Sequence, residues 1–377
     1  MMPDNRYRKL ISYIAPAAPA TRRPARGDEP FLRPEIGFTP QWYRQAPDID
    51  FGERWHLDPS YRYQTIVAMA RHLKRRLGHI SAGGAPDFDR PPDLLTGTFG
   101  TSFVAAIYGV PTEYQADSWP WSRHQHFSVE QVRRLEPPAL DSNPMFQALM
   151  NQVEWIAREM GRVDGYINWQ GVLNNAYRLR GQDLFLDMVD EPELARHLFA
   201  CVTSTMIEGA RRLFERQKET GVENHHFTIS NCLVNMVSAR QYQELLLPFD
   251  QRIAEAFGLI GIHNCAWKAD PYLPAYATIR NVGYIDTGMD SDLLLARHCF
   301  PDARRAIMYT PMDVANKSTR DLKGDLERIA RECGPCDIVF ADLEAGTPDE
   351  RIADLVGLCE EISSQPELHT DCFFQDA

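Results

Sequence analysis

The sequence predicts an α/β chain folded as a (β/α)8 TIM barrel with an N-terminal extension, and three observations carry that prediction. Short β-forming runs recur at Tyr166–Trp169, His226–Ile229, Leu259–His263, Val282–Asp286, Ala306–Tyr309 and Asp337–Ala341. Each is followed by a helical pattern, and six β-then-α units in a row imply a parallel sheet, because parallel strands need a crossover. The length of 377 residues suits a barrel of this kind plus an extension. A doubly wound dinucleotide-binding sheet would need a Gly-rich first turn, which the chain lacks.

Along the chain, residues 1–60 read as an irregular extension, with Pro and Arg scattered through Arg22–Pro34 and a second loop-like stretch at Pro47–Pro59. Residues 61–363 are assigned to the barrel. Tyr61–Leu77 is helical, with Ile66, Met69, His72, Leu73 and Leu77 on one face. His79–Pro92 reads as a loop, and Pro144–Met160 as a helix. Two strands are needed to complete eight, and they are expected around Leu94–Phe99 and Phe103–Tyr108. The clearest later helices are Ala239–Phe257 and Thr319–Glu332. Residues 364–377 form a polar tail.

Composition narrows the function. The net charge of −12 excludes a typical nucleic-acid binder, which needs a basic face to neutralise phosphates. Residues 1–80 nevertheless carry +6, which leaves −18 on the rest; the basic part reads first as a solvated arm, with contact to an anionic ligand or partner as the alternative. Eight cysteines are too sparse and irregular for a disulfide framework. No run approaches the roughly 18 apolar residues of a membrane span. Leu10–Ala20 imitates a signal peptide, but it is short and Pro16 interrupts it. The expectation is a cytoplasmic monomer or homodimer acting on a small molecule, with no membrane or nucleic-acid partner.

Chemistry in such barrels sits at the C-terminal ends of the strands. There the sequence offers Asn168, Gln170, Ser230, Asn231, Cys232, His263, Cys265, Asp286, Asp290, Tyr309, Asp342 and Glu344. The sharpest signal is Gly261-Ile262-His263-Asn264-Cys265. Residues two apart on a strand point the same way, so His263 and Cys265 can grip one metal ion, and imidazole plus thiolate is a natural zinc pair. Asn231, Asp286 and Tyr309 are the further catalytic candidates. Trp42-Tyr43 and Trp119-Pro120-Trp121 are candidates for an aromatic lid, with core packing as the alternative. Cys333-Gly334-Pro335-Cys336 spells a redox motif, but a helix precedes it and a strand follows. That order makes it a structural turn at the N-terminal end of the last strand. At Asp286, Asp290 and Asp292, helix capping by Asp290 or Ser291 is the main expectation.

The run from Asn231 through Arg240-Gln241-Tyr242 to Leu247-Pro248-Phe249 is similar to a signature of the uroporphyrinogen decarboxylase superfamily. Gly171–Leu186, with Leu179-Arg180-Gly181, and Thr347-Pro348-Asp349-Glu350 also resemble that superfamily, and the likeness covers about residues 50–363. One branch is a metal-free decarboxylase with an N-terminal arginine motif. Pro40-Gln41-Trp42-Tyr43-Arg44-Gln45-Ala46-Pro47 matches only part of that motif, and Pro47-Asp48 stands where a Gly-Arg pair belongs. The HxC pair points to the other branch, the zinc-dependent, corrinoid-linked methyltransferases.

That branch implies methyl transfer between a small methylated substrate or thiol and a corrinoid carried by a separate protein, with zinc as Lewis acid. Its usual second cysteine at the end of the last strand is absent here. Ile338–Glu344 has Leu343 at or near that place. Cys232, Asp342 or Glu344 is then expected to complete the shell begun by His263 and Cys265. The rival readings are a decarboxylase of a porphyrinogen or smaller acid and a non-catalytic binding protein on the same scaffold.

Overall fold

A computed structural model describes residues 30–80 and 92–368, with the backbone of Ile11–Ser12. The Leu10–Ala20 segment otherwise lies outside the described residues, as do most of the His79–Pro92 loop and the end of the tail. The strands are β1 (Ile11–Ser12), β2 (Leu32–Phe38), β3 (Thr112–Gln115), β4 (Ser118–Ser122), β5 (His226–Ser230), β6 (Leu259–His263), β7 (Val282–Gly288), β8 (Arg304–Met308) and β9 (Cys336–Leu343). Seven of them form one parallel sheet in the order β1-β2-β9-β8-β7-β6-β5, while β3 and β4 make a separate antiparallel hairpin. The fold is an α/β barrel, and the pairing of the last strand, β9, with β2 brings the chain's ends together.

Five of the six expected runs are ladder strands, with β8 shifted two residues earlier to begin at Arg304. The expected irregularity of residues 1–60 is corrected at β2, a seven-residue strand lying between β1 and β9. Pro34 sits inside it and masked the β signal.

The other corrections fall on the arc between β2 and β5. Leu94–Phe99 is a chain of turns because the Asp93 carboxylate takes the backbone N–H groups of Leu95 and Thr96, both at 2.9 Å, and diverts them from a ladder. Phe103–Tyr108 is not a strand either. Phe103–Ile107 is a short helix whose Phe103 ring packs on Trp169. Tyr166–Trp169 is not a ladder strand. Its Tyr166 hydroxyl does the pairing instead, accepting from Thr228 N at 3.1 Å and approaching Thr228 O at 3.4 Å. Tyr166 N in turn donates to Thr96 Oγ1. Arg62, fully buried, ties this arc down through Leu94 O, Trp55 O and Gln152 Oε1, each at 2.7 Å.

The helices start where their caps say. Asp58 accepts from Ser60 N and Tyr61 N ahead of Pro59–Leu77, and Asn143 accepts from Phe146 N ahead of Pro144–Met160. Thr319–Cys333 begins on Ser318. The stretch expected as one helix over Ala239–Phe257 carries a π segment at Tyr242–Leu246 between Ala239–Gln241 and Leu247–Ala256.

Strand alternation sorts the barrel interior into layers. At its N-terminal floor Arg304 makes two bonds to Asp337, at 2.6 and 2.9 Å, and Arg33 lies 3.3 Å from the same carboxylate. Above this, Tyr284, Ala306, Val339 and Ala341 form a small apolar cluster distinct from the main core. At the C-terminal mouth of the same alternating faces stand Asp286 of β7 and His263 of β6. Trp42 and Tyr43 are fully buried against Phe38, so the lid reading gives way to core packing there.

Candidate metal centre

Side chains from two loops and one strand end converge at the mouth. Cys232, His263 and Cys265 each present one donor atom, and all three atoms lie within 4.8 Å of one another. The Cys265 sulfur is 3.0 Å from His263 Nε2 and 3.1 Å from the Cys232 sulfur.

The route to this arrangement differs from the expected one. β6 ends at His263, so strand alternation does not deliver Cys265. A left-handed backbone at Cys265, φ 56°, turns its thiol back toward the imidazole. Phe99, Gln170 and Asp342 share this rare conformation, with φ 63°, 60° and 55°, at the ends of three other wall segments. Non-glycine residues in this region are costly and gather at functional sites. Gly261 is required beneath the centre, since a Cβ there would lie 2.7 Å from His226 Nε2. Gly171 is required beside it, since a Cβ would come 2.3 Å from Ser230 O.

The imidazole is held from behind. His263 Nδ1 is 2.6 Å from Asp286 Oδ2, the other carboxylate oxygen accepts from Asn264 N at 2.7 Å, and Tyr284 OH donates to Oδ2 at 3.2 Å. Burial works against a proton on His263, but the Asp286 carboxylate and the two sulfurs outweigh it and raise its pKa well above the ordinary imidazole value. Of the two thiols Cys232 ionises first, because Cys265 donates a hydrogen bond to it against the opposing effect of burial. Cys265 is raised by that same donation.

A second network backs Cys232. Asn231 N donates to His263 O at 2.7 Å and Asn231 Nδ2 to Asp250 Oδ2 at 3.1 Å. Tyr242 OH donates to the same Oδ2 at 2.7 Å. Burial pushes the Asp250 carboxyl up to about 6. Asn231 therefore faces away from the mouth as a positioning residue.

Cys232 is the expected third ligand that the structure brings to the pair. Asp342 lies within electrostatic range of His263 but outside the three-atom cluster, and Glu344 is not part of it. Tyr309 is corrected outright. It alternates out of the barrel behind Met308, and its hydroxyl donates to Asp325, which also binds Lys317. The cap ahead of Leu293–Cys299 is Asp292, accepting from Leu295 N, while Ser291 Oγ accepts from Ala269 N. Cys333 ends a helix and Cys336 opens β9, both buried, which is the turn expected of Cys333–Cys336. Arg44, from the partial arginine motif, is spent on Asp48 at 2.8 Å.

Sequence reasoning missed Asn174, Arg178, Tyr242 and Asp250. Leu179-Arg180-Gly181 drew attention to the neighbouring arginine, but Arg180 is consumed by Asp187, Asp183 and Phe127 O. Asn174 and Arg178 stand four apart on one helix, a spacing that places them on one face.

The donor set fits a zinc-type ion. Two thiols and an imidazole are its preferred ligands, and a carboxylate on Nδ1 fixes the tautomer that leaves Nε2 free to ligate. Three protein donors leave a fourth position for a reactant. The Ser230 hydroxyl, buried and in register with His263, has no partner among the described residues.

No protein-family model and no curated protein matches the chain. The fold is similar to that of a methyltransferase from Methanosarcina mazei, with a TM-score of 0.61 at 14% identity over 88% of this chain and 93% of that one. Among the described residues, no helix is long and apolar enough to cross a membrane.

Proposed function

We propose that the chain is a methyltransferase moving a methyl group between a small methylated substrate or thiol and a corrinoid on a separate protein. The reading joins the resemblance to corrinoid-linked methyltransferases in the uroporphyrinogen decarboxylase superfamily to the Cys232–His263–Cys265 cluster, which is the observation that carries it. Held by these three residues, zinc would supply Lewis-acid activation of a thiol or of a leaving heteroatom.

The chain's own residues do the rest. Asp286 holds the His263 tautomer and orients its ring, and Tyr284 and Asn264 N hold Asp286. Asn231 and Asp250 fix the loop carrying Cys232. In the thiol-methylating direction a corrinoid on the partner protein would supply the methyl group as co-substrate. A substrate thiolate near Cys232, His263 and Cys265 would gain the S–C bond as the donor's bond to methyl breaks with its electron pair left on the donor, and the thiol proton would pass to solvent. Clustering of two thiols with an imidazole favours this over the metal-free decarboxylase. That rival calls for several cations around its substrate rather than a set of soft metal donors.

The test is metal analysis of the purified chain together with transfer from methylcobalamin to a panel of thiols. Wild type is expected to bind one zinc per chain and to demethylate the corrinoid, and His263→Ala and Cys265→Ala to lose both properties. Full zinc occupancy surviving both changes would sink the proposal.

A further inference from the structure

The helix Val172–Arg180 lies against the Cys232 side of the centre. Asn174 Oδ1 accepts from Leu233 N, the residue next to Cys232, at 3.2 Å, and the amide helps to lower the Cys232 pKa. One turn further on, Arg178 lies within electrostatic range of the Cys232 sulfur. The fully buried arginines are all engaged. Arg62 binds three oxygens, Arg180 and Arg304 bind carboxylates, and Arg305 binds backbone carbonyls of Phe300, Pro301, Cys333 and Pro335. Arg178 differs. It is half-buried, its one hydrogen bond among the described residues runs from NH1 to Asn174 O at 3.0 Å, and among those residues it has no carboxylate partner.

We propose that Arg178 binds the carboxylate of the substrate, so that the molecule methylated or demethylated here is a small carboxylic acid bearing a thiol or a methylated heteroatom. The role of that heteroatom rests on the methyl-transfer reading of the centre, whereas the binding of the carboxylate does not. A guanidinium is a planar fork of donors that matches a carboxylate with two parallel bonds. Away from bulk water the pairing is stronger than on a surface. Burial lowers the Arg178 pKa to about 10, which leaves it charged at neutral pH. Arg178 NH1 donates to Asn174 O, and the Asn174 side chain takes Leu233 N beside Cys232, which sets Arg178 one helical turn beyond the residue that touches the Cys232 loop.

The full chain, metal-free and after loading with Co(II), is titrated by calorimetry with β-mercaptopropionate, with propanethiol as its neutral counterpart, and with propionate. β-Mercaptopropionate is expected to bind roughly 10- to 100-fold more tightly than propanethiol, the factor typical of hydrogen bonds to charged groups. Propionate should compete with it. Arg178→Gln should erase the preference and Arg178→Lys restore part of it. Equal affinity for the charged and neutral thiols in wild type overturns the proposal, and so does a preference that survives Arg178→Gln. If Arg178 merely steadies Cys232, Arg178→Gln weakens both thiols alike, which also overturns it. Should Arg178→Gln not fold, competition by propionate in wild type decides, and its absence counts against the proposal. If Co(II) does not enter, the methyl-transfer reading falls. The carboxylate preference of the metal-free chain then decides the Arg178 proposal by itself.

Discussion

His263 Nδ1 stands 2.6 Å from Asp286 Oδ2, and the carboxylate is completely buried. Neither residue reaches the mouth by itself as a reactive group. Together they turn one imidazole nitrogen inward to an anion and leave the other facing two sulfurs. A carboxylate behind a ligating histidine fixes its tautomer and raises its basicity.

Replacing Asp286 by Asn tests that relationship. The amide offers an N–H to Nδ1 where the carboxylate accepted, which favours the tautomer with the proton on Nε2 and blocks ligation. Zinc affinity, read by competition with a chromophoric chelator, should fall roughly 10- to 100-fold. The circular dichroism of the folded chain should stay unchanged. An unaltered affinity would show that Asp286 does not orient the ligand.

The identity of the third donor is checked by metal content. Cys232→Ala should drop zinc below full occupancy, whereas Asp342→Asn and Glu344→Gln should leave it intact, because among the described residues only Cys232 joins His263 and Cys265 within 4.8 Å. Cys333→Ser is the control. Its thiol is buried at the opposite end of the barrel, and zinc content should not respond.

Asp250 gives the chain a pH-dependent stability with a definite sign. Its carboxyl is raised from 3.8 to about 6 in the folded chain, so the native state holds a proton that the unfolded state releases. The contribution is fully present below pH 3.8 and is lost as pH rises through 6. At about 1.4 kcal/mol per unit the loss is about 3 kcal/mol. Urea midpoints of wild type and Asp250→Asn measured from pH 4 to 7 should diverge in the variant's favour by that order, with the change centred between pH 4 and 6. Parallel curves would contradict the assignment.

Arg62 carries the arc that lacks a ladder. It is a buried cation holding Leu94 O, Trp55 O and Gln152 Oε1, and its removal leaves those acceptors unpaired in the core. Arg62→Ala should cost about 3–5 kcal/mol, the range for breaking a buried charged interaction. Chemical denaturation reads the loss, and a cost under about 1 kcal/mol would mean that the turns at 94–99 hold themselves.

What the sequence disclosed follows the same physics. Buried parallel strands read as continuous apolar runs, so β5, β6, β7 and β9 were legible, and so were helices with clear caps such as Pro144–Met160. β2 was hidden by Pro34 and by two inward charges, Arg33 and Glu35, which become intelligible only beside Asp337. The turns after Asp93 were hidden because a side chain, not an apolar pattern, sets them. In the centre, His263 and Cys265 were found from spacing, but the left-handed turn that makes Cys265 reach the imidazole belongs to backbone geometry. Asp250 and Arg178 approach Asn231 and Cys232 from distant segments, and contacts across such separations leave no local trace.

Tyr309 is the residue on which strand-end position and strand parity disagree, and parity decides. Ala306 and Val339 share the interior cluster, Met308 packs against it, and Tyr309 therefore turns outward to Asp325 and Lys317. Its hydroxyl is held by groups that do not touch the metal centre. Tyr309→Phe should leave zinc occupancy and the rate of corrinoid demethylation within twofold of wild type. Stability should fall by about 1 kcal/mol for the lost hydrogen bond. A large fall in rate at unchanged zinc content would return Tyr309 to the catalytic set and require the chain near β8 to rearrange when substrate binds.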